Sequence, residues 1–193
     1  MSAGSPAPPG LAGARVPVLR SREELDPAQQ AAWDRIVASR GRIAGPFGLL
    51  LHSPELAQRV ADVGAYVRFE GALAQIDREL AILAVARALD CQYEWAAHAP
   101  LARKAGVREA AIAAIRERAP AGLTREEAEI AGYAQALLTT HRVAGDAFGG
   151  VRARLGVRGL VELTATVGYY AMLACTLNAF EVTPAADAER LPV

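Results

Sequence analysis

An excess of charge of either sign is missing from this chain: 21 basic residues stand against 21 acidic ones, for a formal net charge of zero. Without an electrostatic footprint, nucleic acid and anionic membrane are excluded as main partners. Cysteine is scarce as well. Cys91 and Cys175 are the only two, and they lie too far apart in sequence for a zinc or disulfide framework. There is no Gly-rich phosphate loop, no paired Cys-x-x-Cys and no His-Glu-x-x-His, so neither a nucleotide nor a metal has support. Met1 to Arg20 holds no charged stretch followed by an apolar run, the pattern of a signal peptide. A cytoplasmic, reducing setting is therefore expected.

What is present is apolar surface and helix punctuation. Hydrophobic residues make up 52% of 193 positions while aromatics reach only 6%, which favours one domain of closely packed, alanine-rich helices. The Pro- and Gly-rich residues 1–20 read as a flexible arm, residues 21–183 as a helical domain, and 184–193 as a tail. Asp26 and Pro27 form an N-cap and N1 pair opening a helix to about Ser39. After a turn at 41–47, Ser53-Pro54-Glu55 starts another helix, running to about Gly71. Asp77 opens a buried helix through the apolar run at 80–86. The segment holding Cys91 closes at Lys104-Ala105-Gly106, a basic last turn before a glycine cap. Thr124 and Glu127 spell a capping box opening a helix to about Thr140. A shorter helix near 146–155 stops at Gly156. No segment reads as a strand, and the fold class is all-α.

Leu163 to Phe180 runs eighteen residues without a charge, a length at which a membrane span becomes thinkable. Its threonines, tyrosines and Asn178, with Glu162 at its threshold, favour instead a helix buried in the core or between subunits. No membrane is expected, and a homo-oligomer is.

The chemistry gathers around Cys91, Glu94 and His98. Offsets of three and seven residues put them within about 60° of arc on one helical face. Two readings are open: a reactive constellation, or a buried thiol packing as a small hydrophobe beside a helical Glu–His pair. Arg68 and Arg78 are candidates to clamp a substrate carboxylate, against the competing reading of solvated or paired surface cations. Phe47, Trp95 and Tyr169 are candidates to wall a pocket, with plain aromatic packing as the alternative, and Tyr93 and Tyr170 stand beside them. His141 is either a pocket residue or a helix-end histidine complementing the dipole.

The run Arg78-Glu79-Leu80-Ala81-Ile82-Leu83, then Cys91, Glu94 and His98, then Ala102-Arg103-Lys104-Ala105-Gly106-Val107, resembles the signature of the carboxymuconolactone decarboxylase family, within the alkyl hydroperoxidase D-like superfamily. The stretches 140–143 and 160–179 resemble one branch of it. The resemblance covers roughly residues 26–182. It implies an AhpD-like helical bundle, assembly as a trimer or hexamer, and a site of His98, Glu94, Cys91 and Glu79. In the hydroperoxidase branch two cysteines do thiol chemistry, but here Glu94 stands at the second cysteine position, where a disulfide cycle needs a thiol. In the decarboxylase branch a glutamate precedes the histidine by four, as Glu94 precedes His98. The resemblance thus points to a cofactor-independent lyase doing acid–base chemistry on a small carboxylated or carbonyl-bearing molecule. A histidine suits proton donation near neutral pH, with Glu94 orienting it and Glu79 in a relay or supporting role. Alternatives are a thiol-dependent peroxidase or reductase using Cys91, and a non-catalytic subunit of the same fold.

Overall fold

The first long helix begins where a side chain is able to cap it. In the computed structural model, which describes residues 14–192, Asp26 accepts the Gln29 backbone N–H at 2.8 Å and the Gln29 side chain accepts the Asp26 N–H at 3.1 Å. This capping box satisfies two donors that a helix start leaves orphaned. Helix α1, Pro27–Arg40, ends at Gly41 with φ 75°, a left-handed cap that glycine adopts without a Cβ penalty. There follow α2 (Phe47–Leu50), α3 (Pro54–Ala65), a π-helical turn (Tyr66–Glu70), α4 (Gln75–Ala88), α5 (Gln92–Lys104), α6 (Glu109–Arg116), α7 (Arg125–Thr139) and α8 (Gly145–Ala179). The expected capping box at Thr124 and Glu127 opens α7. Two expected starts differ in detail. Ser53 precedes α3 without a side-chain capping bond, and Asp77 lies in the first turn of α4, where it pairs with Arg154 at 3.2 Å. No strand occurs among the described residues. The fold is all-α.

Helix α4 is the hub. Leu80, Ala81, Ile82, Leu83, Ala84, Val85 and Ala86 are each 5% exposed or less, because α5, α6, α7 and α8 all pack on it. A helix enclosed on every side must be apolar all round, and its alanines let neighbours approach closely. Each buried Leu, Ile or Val contributes about 1.5–3 kcal/mol before ordering costs. Helices α1 and α3 pack on each other as a second pair.

Helix α8 is the one described helix long and apolar enough, by length and composition, to cross a membrane, and 56% of its apolar window is buried inside the fold. Its expected stop is real, since Gly156 takes φ 68° and ψ 177° and breaks the helical path there. Within the 163–180 stretch the fold covers one face and leaves Met172 and Phe180 39% and 37% exposed. Leu163, Val167, Tyr170, Leu173 and Leu177 are buried, but Val157 and Val161 on the other face are 64% and 61% exposed.

Residues 1–13 of the expected arm lie outside the described residues. Residues 14–20 run against the helices: Arg15 N–H donates to Phe180 O and Leu19 N–H to Gly48 O, both at 2.9 Å, while His52 Nε2 meets Pro17 O at 2.8 Å. In the tail, Leu191 is buried and its backbone exchanges two hydrogen bonds with the Gln92 side chain.

Candidate active site

Three ionisable side chains converge where α4 passes α5. Glu79 comes from the buried hub helix, and Glu94 and His98 from one face of α5, one turn apart. They are 3%, 4% and 5% exposed. His98 Nδ1–H donates to Glu79 Oε2 at 2.8 Å, while its Nε2 stands 3.4 Å from Glu94 Oε2. A carboxylate on Nδ1 sets the tautomer and the ring orientation, leaving Nε2 to face Glu94. This reverses the expected division of labour. Glu79 is the close partner of the imidazole, and Glu94 the looser one.

Burial pushes the Glu94 carboxyl above its ordinary value; Glu79 pushes the same way, and His98 and Arg68 oppose it only in part. Its place in the first turn of α5 sets it at the positive end of the helix dipole, which eases the cost of ionisation. The outcome is a carboxylic acid that holds its proton longer than a surface glutamate, a property characteristic of catalytic acids.

Glu94 and His98 open onto a cavity of about 340 Å³. Arg40 and Arg42, from the end of α1 and its turn, and Arg68 from the π-helical turn line it with them. Phe47, Phe69, Tyr93, Tyr169 and Tyr170 also line it. Arg40 lies 4.5 Å from the Phe47 ring centroid and donates to Ala61 O at 3.1 Å and Tyr169 Oη at 3.4 Å, yet its buried Nε has no partner. The close approach of Arg40 and Tyr169 requires Gly64, where a Cβ would fall 2.0 Å from Tyr169 Oη and 2.2 Å from Arg40 Nη2. The Tyr170 ring meets the His98 ring edge-on at 5.0 Å.

A single buried carboxylate holds the Arg68 wall. Glu162 of α8 accepts from Tyr66 Oη at 2.9 Å, Ala72 N–H at 2.6 Å, Leu73 N–H at 3.1 Å and Arg158 Nε at 2.9 Å. Burial pushes its carboxyl up, but these bonds outweigh that and hold it below the ordinary value. They pin both ends of the Tyr66–Glu70 turn.

Of the residues singled out in the sequence, Glu79, Glu94, His98, Arg68, Phe47 and Tyr169 come together. Cys91, Trp95 and His141 do not. Cys91 is the N-cap of α5, in extended conformation at φ −80° and ψ 96°, so helical spacing does not govern its direction. It is fully buried among Leu49, Ala174, Leu177 and Val182, and burial drives its thiol up to about 12. Trp95 is one position past Glu94, turned about 100° round the helix into the core, with no exposure and no partner for its Nε1. His141 is exposed in the turn after α7 at φ 62°. Arg78 lies outside the cavity lining, donating to Leu73 O at 3.4 Å. Arg40 and Arg42 escaped sequence reasoning, since two arginines flanking a helix-capping glycine look like any basic helix end.

The resemblance drawn from the motif is borne out: residues 54–136 match the model of the carboxymuconolactone decarboxylase family, a stretch holding Glu79, Glu94 and His98. In fold, the chain is similar to a crystal structure of an alkylhydroperoxidase AhpD core, an uncharacterized peroxidase-related protein from Ralstonia eutropha JMP134. That match has a TM-score of 0.72 at 17% identity over 91% of this chain and 94% of the other. It is also similar to an uncharacterized peroxidase-related protein from Silicibacter sp. TM1040, with a TM-score of 0.71 at 14% identity over 94% of this chain and 97% of the other. At such identities the likeness is one of fold: an AhpD-like helical protein. Comparison with curated proteins finds no match.

Proposed function

We propose that this protein is a cofactor-independent acid–base enzyme of the carboxymuconolactone decarboxylase type, a lyase acting on a small carboxylated or carbonyl-bearing molecule. The observation that carries the reading is the chain Glu79–His98–Glu94, bonded at 2.8 Å and spaced at 3.4 Å, opening onto a cavity lined by three arginines. An anionic group of the substrate sits against the arginines, whose planar forks suit a carboxylate. Loss of carbon dioxide leaves an electron pair that spreads onto a carbonyl oxygen as an enolate; where an α-proton leaves instead, His98 Nε2 starts unprotonated and takes it. The proton held between Glu94 and His98 Nε2 then goes to carbon, and solvent restores it. Decarboxylation, proton transfer and elimination all use this one device.

The test is a panel of small β-keto acids and carboxylated lactones, followed by NMR in deuterated water for carbon dioxide loss and for deuterium uptake at carbon. His98→Ala lowers kcat by about 10²–10⁴-fold, the usual worth of a positioned acid or base, with an unchanged helical circular-dichroism spectrum. Turnover that survives His98→Ala sinks the reading.

The peroxidase-related names of the structural neighbours favour a second reading, thiol-dependent peroxide reduction by Cys91. Its burial and raised thiol weigh against that, since the thiolate is the nucleophile. Hydroperoxide consumption driven by dithiothreitol and lost on Cys91→Ser would put this reading first. We further propose a homo-oligomer, trimer or hexamer, built on the exposed apolar face of α8, and a cytoplasmic setting in keeping with two free cysteines.

A further inference from the structure

Five tyrosines occur in the chain, and four of their hydroxyls have protein partners. Tyr66 bonds Glu162, Tyr133 bonds Thr164, Tyr93 accepts from Gly45 N–H, and Tyr169 accepts from Arg40. Tyr170 is the exception among the described residues. It is 2% exposed, it lines the cavity, and its ring packs edge-on to His98 and to Tyr169 while its hydroxyl bonds no described residue. Its hydroxyl is not sealed away like the orphaned Arg40 Nε; it keeps contact with open space. A buried phenol with no acceptor in the protein is costly unless something else supplies one. The cavity that Tyr170 lines is the one Glu94 and His98 open onto.

We propose that Tyr170 donates a hydrogen bond to the substrate's carbonyl oxygen and holds the oxyanion that forms there as the enolate develops. This rests on the acid–base reading above and adds to it a catalytic residue and an orientation. The substrate is then a carbonyl compound with its oxygen toward Tyr170, its α-carbon toward Glu94 and His98, and its anionic group toward Arg40, Arg42 and Arg68. In the decarboxylating case the bond from the α-carbon to the carboxylate breaks, and its electron pair becomes the carbon–carbon double bond of the enolate. The carbonyl π pair moves onto oxygen, carbon dioxide departs, and the phenol keeps its own proton throughout. The proton that reaches carbon comes from the Glu94–His98 pair. Burial raises the Tyr170 hydroxyl above its ordinary value, so it is a donor at neutral pH. A preorganised donor of this kind commonly accounts for about 10²–10³ in kcat.

The probe is 4-nitrophenolate, whose oxyanion stands in for that of an enolate, followed by its absorbance on titration into the full-length protein. Nitrobenzene, which has the ring and lacks the oxyanion, is the control ligand. Tyr170→Phe removes only the hydroxyl and breaks no bond within the fold, so circular dichroism and Tm stay at wild-type values. The expected result is a loss of at least tenfold in affinity for 4-nitrophenolate, equivalent to about 1.4 kcal/mol, with nitrobenzene affinity unchanged. Equal loss for both ligands, no loss for either, or no binding of 4-nitrophenolate to the wild type each overturns the proposal. His98→Ala separates the two claims. It leaves phenolate discrimination by Tyr170 in place while abolishing turnover if both hold; if the acid–base reading alone fails, turnover is indifferent to His98→Ala and discrimination persists.

Discussion

At the residue scale the site combines groups placed against their solvation preference. Glu94 is 4% exposed and its folded value lies above its unfolded one, so the fold binds its proton more tightly than the unfolded chain does. The ionised form is therefore a penalty on stability, fully felt above the folded value and relieved as pH falls through it toward the ordinary 4.5. Glu94→Gln keeps the shape and removes the charge. It raises Tm at neutral pH, and its advantage over wild type shrinks on acidification toward 4.5. Paired thermal melts across that range check this, and a Glu94→Gln protein less stable than wild type at neutral pH contradicts it. The same substitution impairs turnover, so stability and activity move in opposite directions, as they do where a function is carried by a strained group.

The two cysteines separate equally clearly. Cys175 is exposed and Cys91 has no exposure, with its thiol pushed up to about 12. A disulfide-exchange reagent titrates one thiol per native chain and two in denaturant, and native reactivity disappears in Cys175→Ser. A native Cys91 that reacts as fast as Cys175 overturns that assignment.

At the scale of the element, the π-helical turn Tyr66–Glu70 is the part of the cavity wall held by long-range contacts. It brings Arg68 and Phe69 to the site and depends on Glu162, more than ninety residues along the chain from Tyr66. Glu162→Ala leaves the Ala72 and Leu73 amides and the Tyr66 hydroxyl without an acceptor, a cost of about 1–3 kcal/mol for each that stays buried. The expected result is a lower midpoint in urea, with hydrogen exchange accelerated first in residues 66–73. Uniform loss of protection across the whole chain would show that Glu162 supports the fold at large and not this turn.

At the scale of the whole molecule, apolar surface remains uncovered. Val157 and Val161 of α8 stand 64% and 61% exposed, joined by Met172 at 39% and by Phe69 at 61% beside the cavity. Contiguous apolar surface on one helix face marks an interface. In the proposed oligomer, Val161→Glu places a charge on that face and yields monomers by multi-angle light scattering at micromolar concentration, with helicity retained. A wild-type monomer under the same conditions refutes the proposal outright.

Much of this molecule is local and so was legible in the chain. Asp26 with Pro27, Thr124 with Glu127, and the positive-φ glycines at 41, 106 and 156 act over a few residues, and they set the helix boundaries whatever the surroundings. Glu94 and His98 are one turn apart on a single helix, so their meeting follows from helical geometry alone. Cys91 was misplaced by the same rule, because a cap residue leaves the helical path just where the spacing argument assumes it continues. Tertiary structure decided the rest. Glu79 reaches His98 across a helix pair, Glu162 reaches back to the π-helical turn, and Arg40, Arg42 and Tyr170 share one cavity from opposite ends of the chain. Those pairings depend on which helix faces pack together, and a one-dimensional pattern of apolar residues says that a face is buried without saying against what.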